Sequence, residues 1–136
     1  MTTHQLIYQL IYMSEPFGFD DAMLNGILSI SRRNNRRDGL TGALVCRRDI
    51  YLQLLEGPEA AVEATYARIS GDDRHLAITR LASEPAEVRL FPDWAMLDDP
   101  ARSWLWNEAQ VAAGAVTDAS TSEVRAVFER IAREHA

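Results

Sequence analysis

A mostly apolar run from Leu6 to Met13, interrupted by Gln9, is the first pattern in the chain. Every second side chain from Leu6 to Met13 points to the same side, which gives Tyr8 and Tyr12 a common face. The pattern predicts a β-strand, and a loop is expected over Glu15 to Gly18. The first strand therefore presents two tyrosines to one side of a sheet.

The next segment changes to a helical period. Met23, Ile27 and Ile30 recur at intervals of three or four residues, and Asp20 or Asp21 can cap the helix that they predict. This helix is expected to end at Asn34 and Asn35, since asparagine is common at helix C-termini. Cations there complement the helix dipole, and four arginines surround the pair: Arg32, Arg33, Arg36 and Arg37.

Two strands in a hairpin are predicted next. Gly39 and Gly42 are expected to bracket a turn that leads into the apolar run from Ala43 to Cys46. Polar residues interrupt the run, and Ile50 to Glu56 returns as an alternating strand. One face of this returning strand carries Tyr51, Gln53 and Leu55.

A second helix and further strands follow the hairpin. Pro58 is expected at the first helical position, and Gly71 at the end of the helix. Leu76 to Leu81 predicts a strand with a polar continuation over Glu84 to Val88, and Phe91 to Met96 leads into a short last strand. The apolar side of the second helix consists of Val62, Tyr66 and Ile69.

The resulting βαββαββ order is typical of an α+β, ferredoxin-like sandwich with both helices on one face of the sheet. The first and third strands are then central neighbours, so the strand face that bears Tyr12 lies alongside the face that bears Gln53, beneath the two helices. The space between helices and sheet can be plain core or a ligand site, and the fold does not decide between them.

Composition narrows the classes of function. The 136 residues are 47% hydrophobic, enough for one core without disulfide or metal support. Cys46 is the single cysteine and lies in an apolar run, which predicts an inert buried thiol and a reducing compartment. The net charge of −6 argues against nucleic acid as the main partner. The N-terminus has no cationic leader or long apolar run, so we expect a soluble cytoplasmic protein without a membrane span.

Gln53 is the strongest single indication of a site. Its amide sits among apolar neighbours on a strand face that is predicted to be buried. An unmet buried polar group costs about 1–3 kcal/mol, so both ends of this amide need partners. A polar ligand or a polar neighbour is therefore expected beside Gln53.

An ordered set of motifs over residues 4–97 resembles the BLUF domain, the blue-light sensor that uses FAD. Two departures are peripheral, because the loop over Glu15 to Phe19 is short and Asn34 stands where some relatives carry histidine. The motifs are Y-M-S at Tyr12–Ser14, R-N-N at Arg33–Asn35, G-L-T-G at Gly39–Gly42, Q-L-L-E-G at Gln53–Gly57, D-D-R-H at Asp72–His75 and W-A-M at Trp94–Met96.

The resemblance implies a noncovalently bound flavin, FAD with FMN left open, between the two helices. Ile27 and Ile69 would pack on the faces of the ring, and Asn34 and Asn35 would bond its pyrimidine edge. The candidates for a polar rim are Arg68, Asp72 and His75.

The resemblance also implies a photochemical switch. Tyr12 would give an electron and then a proton to the excited flavin, and Gln53 would change its hydrogen bonds, by rotation or tautomerisation, when they return. Trp94 and Met96 would pass this change to the other side of the sheet.

Each assignment has a structural alternative. The asparagines can terminate a helix, Arg68 and His75 can be solvated surface residues, and Trp94 and Met96 can fill the core. Tyr8 competes with Tyr12, but it lies roughly 13 Å back along the strand, so only one can touch a given ring edge.

Residues 98–136 are predicted to be a helical extension that follows the sensor domain of residues 1–97. Two amphipathic helices are expected, over Pro100–Ala113 and over Thr121–His135, the second with a capping box from Ser120 and Glu123. The extension is too short for an enzyme, so the predicted output is contact with a partner protein, and a homo-oligomer is left open. The alternatives are a ferredoxin-like small-molecule enzyme and a dimerisation module without flavin.

Overall fold

The computed structural model describes residues 7–16, 21–71, 75–100 and 104–135. These ranges contain five strands and two helices in the predicted βαββαββ order, followed by three C-terminal helices. The elements are β1 (Ile7–Pro16), α1 (Asp21–Asp38), β2 (Thr41–Arg47), β3 (Ile50–Gly57), α2 (Glu59–Ser70), β4 (His75–Ala86), β5 (Leu97–Pro100), α3 (Glu108–Ala112), α4 (Ala115–Asp118) and α5 (Thr121–Glu134).

The five strands form one sheet in the order β4-β1-β3-β2-β5. All neighbours are antiparallel except β5, which runs parallel to β2. The register of β1 on β3 sets Tyr12 directly opposite Gln53. The ferredoxin-like α+β fold and the central pairing of the first and third strands are thereby confirmed.

Each face of the sheet has its own apolar core. On one face, α1 and α2 pack on β1 and β3 through residues that include Leu10, Tyr12, Ile27, Leu55 and Val62. On the opposite face, α5 covers the sheet with a buried stripe made by Val124, Val127, Phe128 and Ile131. A change on one face can therefore reach the other only through the sheet or around its edge.

Helix α1 does not end at Asn34 and Asn35, so that prediction was wrong. The helix continues to Asp38, and Gly39 stops it with a left-handed φ of +74°. The backbone N–H of Leu40 then donates to the carbonyl of Asn35 at 2.9 Å, as in a Schellman motif. Glycine outcompetes asparagine as the stop because it adopts positive φ without a steric cost.

Gly42 lies within β2 rather than in a turn. A Cβ added at this position would be 2.0 Å from the carbonyl oxygen of Leu54, so the glycine permits β2 to approach β3 closely. Its backbone N–H donates to the carbonyl of Trp94 at 3.1 Å. The turn that the sequence suggested for both glycines therefore belongs to Gly39 alone.

Two strand boundaries also differ from expectation. Glu15 and Pro16 belong to β1, where they pair with Leu76 and His75 of β4, and not to a loop. Strand β4 is continuous from His75 to Ala86, and it passes a shift in register beside Tyr12. Pairing with a neighbouring strand, which local sequence does not report, extends both elements.

Of the predicted helix over Pro100–Ala113, only Glu108–Ala112 is helical among the described residues, and it forms α3. Residues 97–100 pair with β2 as β5, the expected short last strand, and α4 follows at Ala115–Asp118. Gly114, with φ of +90°, separates these two helices. Pro58 is similarly displaced by one residue, since it occupies the N-cap of α2.

The N-terminus of α5 carries the predicted capping box. The Ser120 hydroxyl accepts from the Glu123 backbone N–H at 3.1 Å, and the Glu123 carboxylate accepts from the Ser120 N–H at 3.2 Å.

Loss of such a helix cap costs about 0.5–2 kcal/mol. We expect Ser120→Ala to lower the free energy of unfolding by that amount in urea titrations, whereas Ser122→Ala, an exposed position in the first turn, should change it little. Equal effects of the two substitutions would contradict the cap.

Candidate functional site

A cavity lies between α1 and α2 and is closed below by β3. Its volume is about 220 Å³, several times the roughly 30 Å³ that one water takes up in the liquid. We call it the interhelical cavity. Its lining residues are Ile27, Ile30, Ser31, Asn34, Asn35, Gln53, Leu55, Thr65, Arg68 and Ile69.

Periodicity explains why these residues converge. Those from α1 are spaced by three or four positions, as are those from α2, while Gln53 and Leu55 alternate along β3. Six residues singled out in the sequence line this one cavity: Ile27, Asn34, Asn35, Gln53, Arg68 and Ile69. Sequence reasoning missed four others, Ile30, Ser31, Leu55 and Thr65, although each lies one helical turn or one strand repeat from a predicted site residue.

Tyr12 reaches the site through Gln53. Its hydroxyl donates to Gln53 Oε1, and the two side chains are 0% and 3% exposed. The Tyr12 ring also meets the Tyr66 ring edge-on, with centroids 5.5 Å apart. The phenol and the amide are thus held together away from bulk water.

The other end of the Gln53 amide has a weak partner. Gln53 Nε2 donates to the thioether Sδ of Met96 at 3.3 Å, and sulfur is a poor acceptor. An amide nitrogen carries two N–H donors, so within the described part of the chain Gln53 retains capacity for a stronger acceptor. A carbonyl oxygen in the interhelical cavity would meet that need.

Helix α1 also holds the segment that contains Met96. Asn35 Nδ2 donates to the carbonyl of Ala95 at 2.7 Å, and Arg32 Nε donates to the carbonyl of Met96 at 3.2 Å. Asn35 is 1% exposed, whereas Asn34 is half-buried on the cavity wall. The two asparagines therefore differ, because only Asn35 bridges the cavity to this segment among the bonds described.

Arg68 stands at the rim of the cavity. Its guanidinium donates to Thr65 Oγ1 at 3.0 Å and lies 3.6 Å from the Asp38 carboxylate. The pKa of Asp38 is lowered, chiefly by the hydrogen bond from Arg37 and further by the charge of Arg68. Two other rim candidates lie outside the described residues: Asp72 entirely, and His75 in its side chain.

The two predicted relay residues lie in different environments. Met96 is 1% exposed and contacts Gln53, but Trp94 is 41% exposed. The Trp94 ring meets the His135 ring at the C-terminus of α5, with centroids 6.2 Å apart. Core packing therefore fits Met96, and it does not fit Trp94.

The side chains of the cavity fit a flat ring with a polar edge. Ile27 and Ile69 supply apolar surface, and the amides of Asn34 and Gln53 supply donors and acceptors without a buried charge.

Cys46 is buried away from the lining and its thiol donates to Asp98 Oδ1 at 3.4 Å. Among the residues described, no cluster of His, Cys, Asp or Glu could hold a metal. None of the described helices is long and apolar enough to cross a membrane.

This sequence is similar to known proteins. A family model described as "BLUF: Sensors of blue-light using FAD" matches residues 7–97. The photoactivated adenylate cyclase subunit beta of Euglena gracilis is 34% identical over 74 residues, which is 54% of this chain and 9% of the relative. The blue light- and temperature-regulated antirepressor BluF of Escherichia coli (strain K12) is 38% identical over 65 residues, or 48% of this chain and 16% of the relative. This chain thus spans a small part of each relative.

Solved structures agree with the sequence relatives. The dark-state structure of BlrB, a BLUF protein, superimposes with a TM-score of 0.77 at 30% identity and covers 97% of this chain and 99% of BlrB. Klebsiella pneumoniae BlrP1 with FMN and cyclic diGMP gives 0.65 at 26% identity, over 85% of this chain and 30% of BlrP1. A bacterial light-regulated adenylyl cyclase gives 0.67 at 28% identity, over 89% of this chain and 35% of the cyclase. From its motifs, its fold and these matches, the chain belongs to the BLUF family, the sensors of blue light using FAD.

Proposed function

We propose that this chain is a blue-light photoreceptor that binds an oxidised flavin noncovalently in the interhelical cavity. The observation that carries the proposal is the buried row of Tyr12, Gln53 and Met96, whose central amide lines the cavity. Membership of the BLUF family supports the choice of flavin.

The proposed contacts follow from the chemistry of the lining. Ile27 and Ile69 pack on the two faces of the ring, because they project from opposite helices into one space. Asn34 and Asn35 meet the pyrimidine edge with amide donors and acceptors. Arg68, Asp72 and His75 are proposed for the polar remainder of the cofactor. We propose FAD, from the family description, although one structural neighbour is described with FMN.

The proposed switch uses the hydrogen bonds of Gln53. A bound flavin supplies the absorption of blue light and an excited state that oxidises a nearby phenol. The Tyr12 hydroxyl donates a hydrogen bond to Gln53 Oε1, so the phenol and the amide can exchange a proton without water. Rotation of the amide would exchange Oε1 and Nε2, and tautomerisation would move a proton between them. Rotation removes the donation to Met96 Sδ, because the thioether has no proton to donate to Oε1, and tautomerisation leaves Nε2 with a single N–H. Both changes alter the donor that faces Met96, which makes Met96 the first residue outside the cavity to respond.

Residues 98–136 are proposed as an output extension that follows the sensor domain of residues 1–97. Family relatives are photoactivated adenylate cyclases and a light-regulated antirepressor. By analogy with the antirepressor, we propose that this chain is not itself an enzyme and that it signals to a downstream protein in the cytoplasm. A docked helix such as α5, with a stripe of large apolar residues, suits such an exchange of contacts.

Spectra of the purified protein in darkness and in blue light test the proposal. We expect bound oxidised flavin and a small, reversible red shift of its visible absorption on illumination. Denaturation should release the flavin, because the only cysteine is buried away from the cavity lining, and chromatography of the released cofactor distinguishes FAD from FMN.

Cys46→Ala serves as the control and should leave the photocycle unchanged. A colourless protein that also fails to take up added flavin would contradict the proposed function. A bleaching of visible absorption in light, as a covalent adduct gives, would contradict the mechanism and leave the cofactor assignment standing.

A further inference from the structure

A carboxylate is buried on the face of the sheet opposite the interhelical cavity. Glu56 is 0% exposed, and along β3 it shares its face with Leu52 and Leu54, which pack beneath α5. A buried charge is costly unless hydrogen bonds compensate it. The switch described above makes no use of this residue.

Four donors converge on the Glu56 carboxylate. Oε1 accepts from the Phe91 N–H at 2.7 Å and from Thr41 Oγ1 at 3.1 Å. Oε2 accepts from the Leu90 N–H at 2.9 Å and from Gln9 Nε2 at 2.9 Å. Bonds to an ionised acceptor are about twice as strong as neutral ones. Glu56 therefore fixes the loop that contains Leu90 and Phe91 to the sheet.

The same loop is attached to β3 at its other end. Residues 90–96, the relay loop, start at the Glu56 carboxylate and end at Met96, whose Sδ contacts Gln53. Gln53 and Glu56 lie three positions apart on one strand and project to opposite faces. A change in the Gln53–Met96 contact therefore acts on a short loop whose far end is bonded to Glu56.

A second link runs from Glu56 to α5. Gln9 on β1 donates to the Glu56 carboxylate and its Oε1 accepts from the Arg125 guanidinium. Arg125 also lies 3.7 Å from the Glu84 carboxylate on β4. Gln9 is 2% exposed, so its amide is enclosed between the carboxylate and the guanidinium. An amide that donates at one end and accepts at the other can reorient only if both neighbours change.

We infer that Glu56, Gln9 and Arg125 are positioning residues that carry the light-driven change at Met96 from the relay loop to helix α5. The inference rests on the proposed function, since it needs a switch at Gln53, and it adds a route separate from the contact between Trp94 and His135. Displacement of the relay loop alters the hydrogen bonds of Leu90 and Phe91 to Glu56. The Gln9 amide then shifts, and its hydrogen bond from the Arg125 guanidinium changes. The docking of α5 then differs between darkness and light.

Hydrogen exchange of the flavin-loaded protein in darkness and in light, combined with its absorption spectrum, tests this route. In the wild-type chain we expect the α5 amides to exchange at different rates in the two states. Arg125→Met removes the guanidinium and keeps the apolar stem; it should leave the red shift unchanged and abolish the light-minus-dark difference in α5. Arg125→Lys keeps a cationic donor and should restore part of that difference.

Arg130→Met is the matched control on the same helix. Its guanidinium lies 4.3 Å over the Trp104 ring and takes no part in the described bonds to Gln9 or Glu56. This variant should retain both the red shift and the difference in α5. A variant that only loosened α5 would raise exchange in both states and preserve the difference.

The outcomes separate the inference from the proposed function. A normal red shift with equal α5 exchange in darkness and light in the wild type would overturn the inference alone. So would an Arg125→Met variant with the full wild-type difference, or an Arg130→Met variant that loses it. Absence of any red shift in the wild type would overturn the proposed function and this route with it.

Discussion

Tyr12→Phe is expected to abolish the light-induced red shift and to leave the flavin bound. The substitution removes only the hydroxyl that donates to Gln53 Oε1, and the remaining ring still fills its place beside Tyr66. Gln53→Leu should have the same effect, because it deletes the amide that bonds to both Tyr12 and Met96 while keeping apolar volume. Absorption spectra before and after illumination measure the loss, and the cofactor-to-protein ratio verifies binding.

Tyr8→Phe is the matched control for Tyr12→Phe. Tyr8 belongs to the same strand face, but it lies opposite Gly57 rather than Gln53. We expect it to photocycle normally. If Tyr8→Phe lost the red shift and Tyr12→Phe photocycled normally, the switch would use Tyr8 instead of Tyr12. A red shift retained by Gln53→Leu would instead show that the amide is not the switch.

Phe128→Ala is expected to lower the free energy of unfolding by about 3–5 kcal/mol, the usual cost of truncating a buried phenylalanine to alanine. Phe128 is 0% exposed and meets the ring of Phe91 edge-on, with centroids 6.5 Å apart. Because Phe91 also donates its N–H to Glu56, this contact joins α5 to the start of the relay loop. Urea titration with a structural probe gives the change in stability.

Arg133→Ala, at an exposed position in the last turn of α5, is the control for Phe128→Ala. Surface changes of this kind usually alter stability by no more than about 0.5 kcal/mol. A small effect of Phe128→Ala, equal to that of the control, would mean that α5 is not held on the sheet in solution. That result would contradict the packing of α5 on the sheet, on which the proposed role of α5 in output depends.

Local pattern was sufficient for the elements of the sensor domain. Apolar repeats of two positions placed β1 and β3, and repeats of three or four positions placed α1 and α2. The buried side of each element is made by residues of consecutive turns or pleats, so a local pattern reveals it. The C-terminal extension was predicted less well. The capping box located the start of α5, but the helix expected over Pro100–Ala113 was wrong, since only Glu108–Ala112 is helical among its described residues.

The candidate site also combines residues that the sequence predicted with contacts that it did not. Gln53 was identifiable from sequence, as a lone amide on an apolar strand face, and the motif spacing that resembles BLUF domains brought in Ile27, Asn34, Asn35 and Ile69. Their assigned roles remain predictions, although all line the interhelical cavity. The donation from Asn35 to Ala95, the exposure of Trp94 and the buried carboxylate of Glu56 were not foreseeable, because each depends on a partner more than thirty positions away in sequence.

The sequence by itself determined the family, the order of elements and which face of β1 carries Tyr12 and which face of β3 carries Gln53. These follow from side-chain period, turn residues and motif spacing, which are properties of neighbouring positions. Only the tertiary structure decided which polar groups meet. Whether Gln53 faces a strong or a weak acceptor, and whether Glu56 is reached by four donors or by none, is set by how the relay loop and α5 fold back onto the sheet. Hydrogen bonds depend on distances of a few tenths of an ångström, and only the packing of distant segments sets such distances.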